Sequence, residues 1–124
     1  MISKRTGWEK RRAGKRALKK LTAFARHGPD NVLNKFYLLE AERLALKGHH
    51  VQAVFKFQIS IAESRRHEMI HEQALAFELA GVALLEWGEE IRALEYFEEA
   101  RSLYQQWGSP VKVDQLTSFV QQMC

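Results

Sequence analysis

Apolar residues in this chain return at helical intervals. Val32, Phe36, Leu39 and Leu46, with Ala41 and Leu44, fall on one such series; Val54, Phe57 and Ile61 make the next, and Ile91, Leu94, Phe97, Ala100 and Tyr104 a later one. No stretch alternates apolar and polar residues for long, so the spacing predicts helices and no strands. The breaks are marked by turn chemistry. His27-Gly28-Pro29-Asp30, Lys47-Gly48-His49, Trp87-Gly88-Glu89 and Trp107-Gly108-Ser109-Pro110 each place glycine where a helix ends, with Asp30 and Ser109 as N-caps and Pro110 at a first helical position. The helices are predicted at roughly 8–27, 31–47, 49–66, 70–87, 89–107 and 110–122.

The pattern also matches itself at a spacing of 40 residues. Gly48 recurs as Gly88, Ala53 as Ala93, Phe57 as Phe97, Ala41 as Gly81 and Leu44 as Leu84. A fainter copy upstream sets Trp8, Ala13 and Ala17 in the same register, and the junctions keep step as His27, His67 and Trp107. A fixed period of this size predicts stacked antiparallel helical hairpins, an all-α architecture whose members usually bind rather than catalyse. At 124 residues there is room for one domain: a basic N-terminal helix (1–29), two hairpins (30–68 and 69–108) and a partial C-terminal helix (109–124). Gly81, in mid-helix, costs about 1 kcal/mol against alanine. A small residue there, as at Ala41, lets the partner helix approach closely.

These residues resemble tetratricopeptide (TPR) repeats. An early aromatic (Tyr37, Phe77) is followed by a small residue (Ala41, Gly81), a large one (Leu44, Leu84), the turn glycine, then Ala53/Ala93, Phe57/Phe97 and Ser60/Ala100. The period is longer than the usual one of about 34, and the proline that normally closes a repeat appears only as Pro29 and Pro110, with Met69 in its place between them. The resemblance implies a short right-handed solenoid. Its inner surface would present Lys35, Leu38, Glu42 and Ala45, then Leu75, Glu78, Val82 and Leu85. That groove mixes apolar and acidic groups and lacks the clamp of Lys, Asn and Arg used for C-terminal carboxylates. An amphipathic helix with some basic residues fits it better.

The second copy, from His71-Glu72-Gln73 to Tyr104-Gln105-Gln106-Trp107-Gly108, is similar to the long helical repeats of large signalling proteins that combine kinase-like, ATPase, GAF and histidine-kinase regions. The resemblance covers roughly residues 20–116 and implies a fragment or short form of such an array, active in signal transduction as a scaffold. The chain would open on the second helix of one hairpin and stop within the first helix of another. Both ends would then leave apolar surface uncovered and open to self-association.

Charge divides the chain in two. Residues 1–29 hold ten Lys/Arg against Glu9 alone, whereas residues 30–124 hold nine against fourteen Asp/Glu. In the first part Lys10, Arg11, Arg12, Lys15, Arg16, Lys19 and Lys20 recur at helical spacing beside an apolar stripe of Ala13, Ala17, Leu18, Leu21, Phe24 and Ala25. Such a helix either docks on the next hairpin, with its charges solvated, or offers phosphate affinity to nucleic acid or an anionic surface. Met1 is followed by lysines and arginines without an apolar run, the longest apolar-leaning stretch is broken by Glu78 and Glu86, and Cys124 is the single cysteine. These features predict a cytoplasmic chain with no membrane span and no internal disulfide.

His67-Glu68-Met69-Ile70-His71 matches the H-E-x-x-H pattern of zinc hydrolases, which needs both histidines on one face of one helix and a third ligand. Here the period puts a turn through the motif. His49-His50 reads as a solvated turn, and Trp8, Trp87 and Trp107 as packing residues at helix ends. The expectation is therefore a non-catalytic protein-interaction module without metal or cofactor, the alternative being an anion-binding basic helix.

Overall fold

The computed structural model describes residues 32–123. The helix predicted over 8–27 and the basic patch from Lys10 to Lys20 lie outside them. Among the described residues there are five helices and no strand: α1 (Val32–Leu46), α2 (His50–Arg66), α3 (Ile70–Glu86), α4 (Glu90–Trp107) and α5 (Pro110–Met123). Each helix packs on its neighbours in sequence, and α1 also touches α3. The bounds follow the predicted ones closely because the turn residues end each helix where the apolar period breaks.

One connection is used four times. His49, Met69, Glu89 and Ser109 donate their backbone N–H to the carbonyls of Leu44, Ser64, Leu84 and Tyr104 at 2.9, 2.9, 2.9 and 3.0 Å. The residue before each of them donates to Ala45, Arg65, Leu85 and Gln105 at 3.1–3.2 Å. These bonds satisfy the orphan carbonyls of the helix end and require a left-handed residue just past it. That residue is Gly48 (φ 82°), Gly88 (φ 82°), Gly108 (φ 91°) and, between the hairpins, Glu68 (φ 57°). The following helices start at His50, Ile70, Glu90 and Pro110, evenly 20 residues apart. The 40-residue period of the sequence is therefore a doubled helix-and-turn unit, and hairpin tip and hairpin junction share one backbone design.

The starts of the helices are less provided for. His49, Met69 and Glu89 precede α2, α3 and α4 without a side-chain cap hydrogen bond. The stability of these helices thus rests on packing of their inner faces. Leu38, Ala41, Ala53 and Phe57 form the interior of the first hairpin, and Leu84, Ala93, Phe97 and Ala100 that of the second, all within 1% of full burial. Burial of each phenylalanine contributes about 1.5–3 kcal/mol. The close approach expected at Gly81 is present. A Cβ built there would lie 2.8 Å from Cε1 and 2.9 Å from Cδ1 of Phe97, so the ring rests on the glycine backbone.

The first hairpin also carries a polar interior. Asn34 donates from Nδ2 to Ser64 Oγ at 2.9 Å, and Ser60 donates from Oγ to the Asn34 carbonyl at 2.9 Å. All three residues are fully buried.

The outer side of α5 differs from the uncovered apolar end expected above. Leu116, Val120 and Met123 are buried, while Asp114, Gln115, Ser118, Gln121 and Gln122 are exposed, with Pro110 and Val111 at the start.

Candidate interaction surfaces

The inner-groove positions part into two sets. Lys35, Leu38, Glu42 and Leu75 are buried, whereas Glu78, Val82 and Leu85 are half-buried. Leu38 and Leu75 belong to the core, and Glu42 is buried with 3% of its surface exposed. Of these seven residues, then, those that reach solvent are the α3 row from Glu78 to Leu85. Ala45, read as part of the same groove, is also half-buried.

Glu78 is already engaged. Its Oε1 accepts from the Tyr104 hydroxyl at 2.8 Å, and its Oε2 accepts from Lys112 Nζ at 2.9 Å. Lys112 also lies 5.3 Å from the centre of the Tyr104 ring. One carboxylate therefore ties α3, α4 and α5 together, with charge-assisted hydrogen bonds that are stronger than neutral ones. Burial first, then the Glu78 charge, pushes the Tyr104 phenol up, so it stays protonated and donates.

A second carboxylate, Glu42, is buried. Glu42 on α1 feels the charge of Glu86, the last residue of α3, and burial together with that charge pushes its carboxyl up to about 8. At the same end of the molecule, His50 stacks on Trp87 with ring centres 4.0 Å apart. His71 stacks on Trp107 at 4.4 Å in the same way, joining the start of α3 to the end of α4. Trp87 thus packs at a helix end as expected, whereas Trp107 stacks on His71 but is 52% exposed.

The H-E-x-x-H residues are divided by the turn. His67 is the C-cap of α2, Glu68 is the left-handed residue and His71 lies in the first turn of α3. His67 Nε2 lies 3.6 Å from Glu63, and His71 faces Trp107. Zinc hydrolysis requires both histidines on one face of one helix, and this geometry does not provide that. Among the described residues no group of three or more His, Cys, Asp or Glu gathers as a metal site. None of the described helices is long and apolar enough to cross a membrane.

Apolar side chains do reach solvent on the second helix of the first hairpin. Val51 is 85% and Phe55 59% exposed, one helical turn apart, with half-buried Ile59 one turn further. Ile91, one period after Val51, is 78% exposed at the start of α4. Sequence reasoning assigned these residues to no surface: Val51, Phe55 and Ile59 fall outside the series of Val54, Phe57 and Ile61, and Ile91 was read into the apolar series of the later helix. The buried Asn34 and Ser64 were missed as well, although Ser60 was read as a repeat position. Their signal was available: one period later the same positions hold Ala74 and Tyr104.

The chain matches no family profile, no characterised protein and no solved structure.

Proposed function

We propose that this chain is a non-catalytic protein-interaction module in which tetratricopeptide-type hairpins stack as a short right-handed solenoid. The observation that carries the reading is the recurrence of one helix-end geometry every 20 residues, with Phe97 seated on Gly81 inside the second hairpin. Repetition of one unit around small-on-aromatic contacts is how arrays of this kind build extended binding surfaces. The proposed partner is a protein or peptide, in the manner of an amphipathic helix laid on an apolar row. Val82 and Leu85 on α3, and Val51 and Phe55 on α2, are among the apolar groups with surface to offer. A scaffold role in signal transduction and a cytoplasmic setting are part of the same proposal, on the similarity of the second copy to signalling-protein arrays.

Pull-down from a lysate with the full chain tests it. Capture of a defined protein that is lost in Val82→Asp/Leu85→Asp or in Val51→Asp/Phe55→Asp, with helicity unchanged, supports the reading and tells the two rows apart. Capture that survives both pairs of changes contradicts it.

A second reading rests on the ten Lys/Arg within residues 1–29. It makes that segment an anion-binding arm for nucleic acid or an anionic surface. Retention on heparin or DNA that falls with salt and is abolished by Lys15→Glu, Arg16→Glu, Lys19→Glu and Lys20→Glu supports it.

A further inference from the structure

The side of α1 that carries Leu33, Phe36 and Arg43 is open, although the equivalent sides of α3 and α5 are closed. Leu33 is 45% and Phe36 52% exposed, Arg43 is exposed, and Leu39 and Glu40 are half-buried. One period later the same places on α3 hold Gln73, Ala76, Leu79, Ala80 and Ala83, all buried. Two periods later, on α5, they hold Val113, Leu116, Phe119, Val120 and Met123, which belong to the core or pack against it. α3 packs on the helix before it, α2, and α5 packs on α4. Among the described residues α1 packs on α2 and α3 alone, both of which follow it.

The α4–α5 joint shows which positions meet. Phe97 and Phe119 lie edge to face with ring centres 5.0 Å apart, and Arg101 donates to Thr117 Oγ1 at 3.4 Å. Two periods earlier these pairs are Ala17 with Leu39 and Leu21 with Tyr37. One period before α2 lie residues 10–26. There Ala13, Ala17, Leu21 and Phe24 take the places of Ala53, Phe57, Ile61 and Ser64, which are buried in α2. Lys10, Arg11, Arg12 and Lys15 take those of His50, Val51, Gln52 and Phe55, which are exposed. Lys20 takes the place of Ser60, whose hydroxyl turns back to the Asn34 carbonyl within its own hairpin. Register thus sets an apolar row against the open side of α1 and keeps most of the cations in water.

We propose that this open side is the seat of the chain's own N-terminal segment: residues 10–26 form a helix that lies on α1 as α2 lies on α3 and α4 on α5, with Ala17 against Leu39 and Leu21 against Tyr37. The connection supports it. His27-Gly28-Pro29-Asp30 stands one period before His67-Glu68-Met69-Ile70, the junction that turns α2 onto α3, and Gly28 holds the place of the left-handed Glu68. A link of the same length and chemistry delivers the segment to this side of α1. Removal of Leu33, Phe36 and Leu21 from water drives the docking. The inference is independent of what the module binds, and the solvated cations remain free for an anionic partner.

Cross-linking in the full chain is the test, with Cys124→Ser as background. A short bifunctional maleimide is expected to join the two thiols of Leu21→Cys/Tyr37→Cys within one chain, since packed helix axes lie about 8–10 Å apart. Lys15→Cys/Tyr37→Cys, whose first thiol takes the exposed place of Phe55, is expected to stay unjoined. Failure of the first pair, equal joining of both pairs, or a cross-linked dimer in place of the internal link would overturn the proposal; the dimer would assign this side to a second copy. A single thiol gives an independent reading that leaves the apolar row of the segment in place. Alkylation of Phe36→Cys is expected to be about tenfold slower than in the same chain carrying Ala17→Asp/Leu21→Asp, which opens the joint. Equal rates would overturn the proposal and leave this side to a partner protein.

Discussion

The two hairpins, α1–α2 and α3–α4, are built on one frame and filled in different ways. Turn bonds and left-handed residues correspond one to one across the period. Yet Asn34, Ser60 and Ser64 of the first hairpin become Ala74, Ala100 and Tyr104 of the second. The first closes its interior with two hydrogen bonds, the second with volume: the Tyr104 ring and the approach of Phe97 to Gly81. The difference teaches that helix ends and small-on-aromatic contacts define the repeat unit, while the other buried positions are free to change chemistry together. A hydrogen-bonded buried group is nearly neutral as part of a complete set and costly when its partner is taken away.

The largest effect is expected where the hairpins agree. Phe57→Ala and Phe97→Ala should each cost about 3–5 kcal/mol in chemical denaturation. A cost confined to one of them would break the equivalence of the two units. Next comes the polar interior. Asn34→Ala, which leaves Ser64 Oγ without its donor, should cost about 1–3 kcal/mol. Asn34→Ala combined with Ser60→Ala and Ser64→Ala should cost less than the sum of the three single changes, in a mutant cycle read by urea unfolding.

Gly81→Ala sharpens the contrast with Ala41. In an ordinary helix this change gains about 1 kcal/mol. Here the new methyl would meet the Phe97 ring at 2.8 Å, so a net loss of about 1–2 kcal/mol is expected in thermal or urea unfolding. The smallest effect concerns the turns. Glu68 occupies the left-handed position that glycine holds at Gly108, one period later. Glu68→Gly should stabilise the chain by about 1 kcal/mol, and Gly108→Ala should destabilise it by a similar amount.

The helices and their ends were legible because Gly48, Gly88 and Gly108 mark them chemically. Even the junction at Glu68, without a glycine, could be placed from register. The close approach at Gly81 was readable from the pairing of Gly81 with Ala41. The surface was much less so. Which side of α1 meets solvent depends on how α1, α2 and α3 sit together, so Lys35, Leu38 and Glu42 read as groove residues and are buried. Glu78 read as an acidic contact and is held by Tyr104 and Lys112, groups far away in sequence whose meeting no local pattern announces. The end of the chain read as uncovered apolar surface because the register stops it within the first helix of another hairpin, whereas Asp114, Gln115, Ser118, Gln121 and Gln122 set the exposed side of α5.

Nuclear Overhauser contacts in the isotopically labelled full chain test most directly that the two hairpins are copies of one unit. The account predicts contacts from the Gly81 α-protons to the Phe97 ring and from the Ala41 methyl to the Phe57 ring, both with upfield ring-current shifts. A spectrum in which Phe57 and Phe97 contact non-corresponding residues would contradict it.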